Sequence, residues 1–200
     1  MLNVRSSTIN LAGMSFLLAD PSPHSCAIIH GIFRGFGVNR VIEARTTNDA
    51  IQVLIDQKID LLLCEPRLPT AGGLAFIRSI RRSPENPCRT IPILVITGDT
   101  RTSVVKEARD SGANMVVAKP MSPASLYERL TWVAFNPRKY VDSPKYFGPD
   151  RRFKIEGLPD GTGHRSSDVS ETLEAEAGPA LSQNEIDNLL QQARSGDTPG

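Results

Sequence analysis

From residue 13 to residue 136, five short apolar runs alternate with five stretches of helical length, and no other feature of the 200-residue chain limits its fold more. The runs fall at 15–19, 40–44, 60–64, 91–96 and 115–118. They are the kind of segment that fills a sheet covered on both faces. The helical stretches are 22–36, 47–57, 73–82, 102–111 and 122–133. In the second, Ala50, Ile51, Leu54 and Ile55 recur at helical spacing, with Asn48 or Thr47 available as a cap. In the fifth, Pro123 sits just inside the start, and Leu126, Leu130 and Val133 form one stripe. Parallel neighbours need crossovers of helical length, and such crossovers are right-handed. The pattern therefore predicts an α/β domain: a five-stranded parallel sheet, doubly wound, with helices on both faces.

Ligands of such sheets collect at the carboxyl ends of the strands, near the topological switch point. Here those ends carry Asp20 and Pro21, then Glu65, then Thr97, then Lys119 with Pro120. An acid, a hydroxyl and an ammonium above an apolar sheet can receive a phosphoryl group. The lysine offsets charge, the hydroxyl donates to an oxygen, and acids hold a divalent metal. The same residues also read as plain structure: a Lys119–Glu65 ion pair at the rim, Thr97 capping the turn of the fourth helix and Asp20 capping the first.

The pieces FLLAD at 16–20, DLLLCEPRLP at 60–69 with GG at 72–73, PILVITG at 92–98, SGA at 111–113 and AKP at 118–120 carry a resemblance. In this order and spacing they make 15–133 resemble the receiver domain of two-component response regulators, the single-domain chemotaxis type included. The resemblance implies a flavodoxin-like receiver fold. It puts the family's phosphate-accepting aspartate at Glu65, its two metal-site acids at Asp20 and Pro21, its switch hydroxyl at Thr97 and its lysine at Lys119. The aromatic switch residue falls on Val116, and the acidic residue of the turn after the acceptor falls on Gly72.

The departures decide the chemistry expected. Glutamate carries one more methylene than aspartate, so its oxygens lie about 1 Å beyond the place an in-line attack requires, a misplacement that can cost a factor of about 100. Pro21 supplies no carboxylate, while a hard cation such as Mg2+ wants oxygen ligands in near-octahedral order. Phosphoryl transfer leans on that metal to neutralise developing charge. The resemblance thus implies a degenerate site with no cofactor and no enzymatic activity, Mg2+ entering only if Glu65 retains weak phosphoacceptor chemistry. Two readings of Glu65 stand open. Its carboxylate reaches Lys119 and Thr97 and imitates a phosphorylated acceptor, or it only holds the rim together. Val116, having no ring, favours the second.

Charge divides the chain. Residues 1–136 carry a net +4, residues 137–154 another +4, and residues 155–200 a net −7. The expected organisation is a lead-in at 1–12, a receiver-like domain at 13–136, a basic aromatic segment at 137–154, an acidic flexible linker at 155–180, an amphipathic docking helix at 181–194 and a disordered end at 195–200. In the linker, Asp168, Glu171, Glu174 and Glu176 stand among few large apolar groups, which leaves little to offset the entropy of ordering. Near the end, Ser182 and Glu185 form a capping box, Leu181 and Ile186 a hydrophobic staple, and Ile186, Leu189 and Leu190 an apolar stripe. A helix of three turns is marginal alone, so it is expected to fold against another surface. LSQNEIDNLL at 181–190 also resembles the N-terminal segment by which the flagellar motor switch protein captures the phosphorylated chemotaxis regulator.

In the basic segment, Tyr146, Phe147 and Phe153 are interleaved with Arg151, Arg152 and Lys154, and GPD at 148–150 is expected to turn. The aromatics are expected to fold back on the domain or to enter a protein partner. Nucleic acid, acidic lipid or an acidic protein groove could each receive the segment, and nucleic acid is the lesser alternative, since the segment has only six basic residues and no wider basic face is expected. The three cysteines, Cys26, Cys64 and Cys88, suit neither a disulfide framework nor a zinc site, and the apolar stretch at 9–19 is too short for the roughly 20 residues of a membrane span. The expected protein is a cytoplasmic, phosphorylation-independent receiver-like adaptor in bacterial two-component signalling, tied to chemotaxis or the flagellar motor. Its expected partner is another receiver, a histidine kinase or a motor component. A weakly phospho-accepting regulator and a nucleic-acid accessory protein are the alternatives.

Overall fold

A computed structural model describes residues 9–151. Five parallel strands, β1 (Ser15–Ala19), β2 (Arg40–Ala44), β3 (Leu61–Cys64), β4 (Ile93–Thr97) and β5 (Met115–Ala118), lie in the order β2-β1-β3-β4-β5. They alternate with α1 (Pro23–Gly35), α2 (Thr47–Asp56), α3 (Gly73–Arg82), α4 (Thr102–Ser111) and α5 (Pro123–Phe135). This is the doubly wound five-stranded sheet that the alternation implies.

Successive strand residues point to opposite faces, and each face has its own core. Leu17, Ala19, Leu62, Cys64, Ile93 and Val95 pack with the apolar stripes of α2, α3 and α4. Phe16, Leu18, Leu63, Leu94 and Ile96 pack with Cys26, Ile29 and Phe33 of α1 and Leu126, Leu130 and Val133 of α5. Leu11, ahead of β1, is buried in the second core, and Ile9 packs against it.

Two local expectations are corrected. The cap of α2 is Thr46, not Thr47 or Asn48. The Thr46 hydroxyl accepts the Asp49 N–H at 3.2 Å while Asp49 Oδ2 accepts the Thr46 N–H at 3.1 Å, a reciprocal pair that one residue further along cannot form. GPD at 148–150 makes no turn. Gly148 and Pro149 belong to β7 (Tyr146–Pro149), which pairs antiparallel with β6 (Tyr140–Ser143), and the chain reverses at Pro144 and Lys145.

This hairpin packs on α3 and α4 at the end of the sheet where β4 and β5 begin. Gly112 is what lets it approach: φ is +99°, and a Cβ there would come within 2.8 Å of Arg81 Cγ and 3.1 Å of the Phe147 carbonyl oxygen.

Candidate functional site

The carboxyl ends of β1, β3 and β5 bring Asp20, Glu65 and Lys119 together. Lys119 Nζ lies 2.7 Å from Asp20 Oδ2 and 2.7 Å from Glu65 Oε2, so one ammonium reaches from the edge strand β5 to the inner strands β3 and β1. Asp20 is buried and its oxygens are all engaged. Oδ1 accepts the Ser22 N–H at 2.8 Å, and Oδ2 accepts the Ser25 hydroxyl at 2.7 Å as well as Lys119. Ser22, not Asp20, caps α1, its hydroxyl accepting the Ser25 N–H at 3.2 Å.

Thr97 is buried between these ends, and its Oγ1 accepts the Asp99 N–H at 3.0 Å. Among the described residues no hydrogen bond joins Thr97 to Glu65. Nor does Thr97 cap α4, whose N-cap is Arg101 without a side-chain bond. Pro21 is half-buried beside Asp20, and Val116 is half-buried against the core on the α2, α3 and α4 side. The peptide between Lys119 and Pro120 is cis.

The β3–α3 loop is fixed from below. Gly73 N–H donates to the Pro66 carbonyl at 2.9 Å, the Ala71 N–H to the buried Thr47 hydroxyl at 3.2 Å, and the Thr47 N–H to the Pro69 carbonyl at 3.1 Å. A Cβ on Gly73 would stand 2.1 Å from the Glu65 carbonyl oxygen, so only glycine lets α3 start there. Gly72 is that helix's N-cap, with φ +84°.

Burial opposes the charge of Asp20, yet the bonds from Lys119, Ser25 and Ser22 outweigh it and hold its carboxyl below the ordinary range. Burial likewise opposes the Lys119 ammonium, but the bonds to Asp20 and Glu65 keep its pKa above the ordinary value. Beside them runs an open cleft lined by Glu65, Arg67, Thr97, Asp99 and Arg101. Asp99 bridges Arg101 at 2.6 Å and Arg67 at 2.9 Å; the Arg101 bond above all holds its carboxyl at about 2. The buried thiol of Cys64, next to Glu65, is pushed well up by burial and is unreactive.

Sequence reasoning missed Ser25 and Thr47, the first a partner of Asp20 and the second of the acid-bearing loop. Only the Ser22 cap with a hydroxyl three residues on hinted at the former. In the basic aromatic segment, Phe147 lies 3.4 Å from Arg89 and Tyr140 5.3 Å from Arg81, so these two aromatics fold back on the domain, while Arg151 stacks 4.1 Å over Tyr146 within the segment. Arg152, Phe153 and Lys154 lie outside the described residues, as do the linker at 155–180 and the whole docking segment with Leu181, Ser182, Glu185, Ile186, Leu189 and Leu190. Among the described residues no helix is long and apolar enough to cross a membrane, and no group of three or more His, Cys, Asp or Glu side chains could hold a metal ion.

The strand order with acid, hydroxyl and lysine at its ends is that of a receiver. Residues 16–131 match the response regulator receiver domain, more than half of the chain, and the chain belongs to that family. It is 31% identical over 117 residues to the transcriptional regulatory protein ZraR of Salmonella typhimurium, a match that covers 58% of this chain and 25% of that protein. It is 26% identical over 117 residues to the chemotaxis protein CheY-3 of Vibrio cholerae, covering 58% of this chain and 88% of that one. The chain thus spans about a quarter of the length of ZraR.

Among solved structures, a putative response regulator from Chloroflexus aurantiacus superposes with a TM-score of 0.57 at 26% identity, over 62% of this chain and 98% of that one. The receiver domain of the sensor histidine kinase PA1611 from Pseudomonas aeruginosa, with a magnesium ion coordinated in its active site cleft, gives 0.54 at 29% identity, over 60% and 96%.

Proposed function

We propose that this receiver is a phosphorylation-independent adaptor in two-component signalling, connected to chemotaxis or the flagellar motor. It binds a protein partner through its receiver surface and the segment at 181–194, and catalyses nothing itself. One observation carries the reading: Lys119 Nζ sits 2.7 Å from both Asp20 Oδ2 and Glu65 Oε2, so the site is closed by its own ion pairs.

The donor set does not fit the divalent ion that the family implies. Pro21 offers no carboxylate, and both oxygens of Asp20 are committed to Ser22, Ser25 and Lys119. Glu65, in the position of the phosphate acceptor by resemblance, points its carboxylate at the lysine. Thr97 bonds the Asp99 backbone instead, which favours the reading in which the Glu65–Lys119 pair holds the rim together over one in which Glu65 also engages the hydroxyl.

The test is incubation of the full chain with a small-molecule phosphodonor and Mg2+, followed by intact mass. An unchanged mass is expected. A gain of one phosphoryl group, mapped to Glu65, overturns the reading in favour of a weak phosphoacceptor.

A further inference from the structure

The end of the sheet opposite Lys119 carries a different electrostatic arrangement. Arg81 of α3 is 1% exposed. Its guanidinium donates from Nε to the Gly112 carbonyl at 3.0 Å, from Nη1 to the Arg89 carbonyl at 2.6 Å and from Nη2 to Asn114 Oδ1 at 3.0 Å. Every acceptor is neutral, and among the described residues no carboxylate pairs with it. A buried charge that only dipoles solvate keeps its field, and that field emerges where the covering layer is thin. The covering layer here is the hairpin β6–β7, with Tyr140 5.3 Å from the guanidinium.

Around the hairpin stand Arg82, Arg109, Lys139 and Lys145, with Lys106 one helical turn before Arg109 on α4, all exposed and none with a carboxylate partner among the described residues. Arg82 and Arg109 donate to the Lys145 and Arg151 carbonyls, which holds them against the hairpin without neutralising them. Arg89 and Arg151 are already paired, with Asp142 and Asp110. Arg138 and Asp150, which also flank the hairpin, offset one another, so the face keeps a net positive charge made of one buried and five exposed cations. Phe147 and Tyr146 are covered by the chain's own Arg89 and Arg151, which removes the stacking platform a nucleic acid strand would use.

We propose that this face seats the chain's own acidic run at 168–176, which carries Asp168, Glu171, Glu174 and Glu176. Charge complementarity and connectivity select this occupant over any free one. The described chain ends at Arg151 on this very face, and all that follows residue 154 carries a net −7. Sixteen residues lie between Arg151 and Asp168, a span of up to about 55 Å, ample for the run to return to the surface it left. A tether of that length supplies an effective concentration on the order of millimolar, which a free acidic partner rarely matches. At the other end of the sheet Lys119 is neutralised by two carboxylates, so the rim does not compete.

Zero-length carbodiimide coupling of an equimolar mixture of unlabelled and nitrogen-15-labelled full-length chains tests this, read by mass spectrometry at low salt and at 0.5 M NaCl. Amides from Lys106, Lys139 or Lys145 to Glu171, Glu174 or Glu176 within chains of one isotope are expected, falling about tenfold at high salt as the charges are screened. Mixed-isotope amides would assign the face to a second copy and overturn the proposal. So would no coupling of these glutamates, or coupling to Lys58 and Lys119 as frequent as to the hairpin face.

Discussion

Lys119 and Arg81 are both drawn out of water, at opposite ends of one parallel sheet, and the protein solves the two burials differently. Lys119 is met by two carboxylates at 2.7 Å, whereas Arg81 is met only by two backbone carbonyls and an amide oxygen. In the first arrangement each charge depends on the others remaining. In the second, the cation can leave without stranding an anion. The rim is thus locked by mutual dependence, while the hairpin end is knit by hydrogen bonds that radiate from one side chain.

The largest disruption expected at the rim is backbone, not charge. Gly73→Ala drives a methyl to 2.1 Å from the Glu65 carbonyl and 2.9 Å from Cys64 Sγ. It should cost more than about 4 kcal/mol in urea unfolding, or prevent accumulation of folded protein.

Lys119→Met comes next. It leaves the buried Asp20 without its cation and should cost about 3–5 kcal/mol. Arg81→Met removes a charge that no carboxylate awaits but leaves the Gly112 and Arg89 carbonyls without its N–H donors, at about 1–3 kcal/mol each. The contrast lies in rescue: adding Asp20→Asn should recover part of the Lys119→Met loss by removing the stranded charge, and no recovery would break it.

The pH dependence sharpens it. The folded pKa of Asp20 lies below its ordinary 3.8, so its contribution is present above that pH and lost as pH falls through the folded value. The folded pKa of Lys119 lies above its ordinary 10.5, so its contribution is complete below that pH and lost as pH rises through the folded value. In Asp20→Asn, thermal melts between pH 2 and 6 should show a flatter acid limb than in the parent. In Arg81→Met the acid limb should keep its shape.

The smallest effect belongs to Tyr140→Phe, which removes a single bond from the tyrosine hydroxyl to the Thr90 carbonyl at 2.9 Å. About 1 kcal/mol is expected from urea unfolding, confined to the hairpin end.

The inner strands β1, β3 and β4 were legible because they are buried on both faces and read as apolar runs, 61–64, Leu-Leu-Leu-Cys, being the plainest; the edge strand β2, with Arg40 and Glu43 exposed, was legible chiefly from its place in the alternation. The hairpin was not, because Tyr140, Tyr146 and Phe147 pack against arginines rather than against an apolar stripe, and Tyr140-Val141-Asp142-Ser143 offers little to bury. The α2 cap was misplaced because Thr46, Thr47 and Asn48 are all good caps. Asp49, three residues after Thr46, was the signal that separates them. At the rim, strand ends alone put Asp20, Glu65, Thr97 and Lys119 in one neighbourhood. Which of them bond across the sheet depends on side-chain reach, and that is why the Lys119 bond to Asp20 could not be read from spacing; Ser25 on Asp20 and Asp99 on Thr97 are local bonds, set by the turn that follows each strand.

Fluorine NMR of the full chain with beryllofluoride and Mg2+ tests the closed rim most directly. With Lys119 engaged by both carboxylates and Pro21 in place of an acid, no resonance of protein-bound fluoride is expected at millimolar Mg2+. A saturable bound signal that requires Mg2+ and disappears in Glu65→Ala would show that the rim opens to metal and phosphoryl analogue together, contradicting the account.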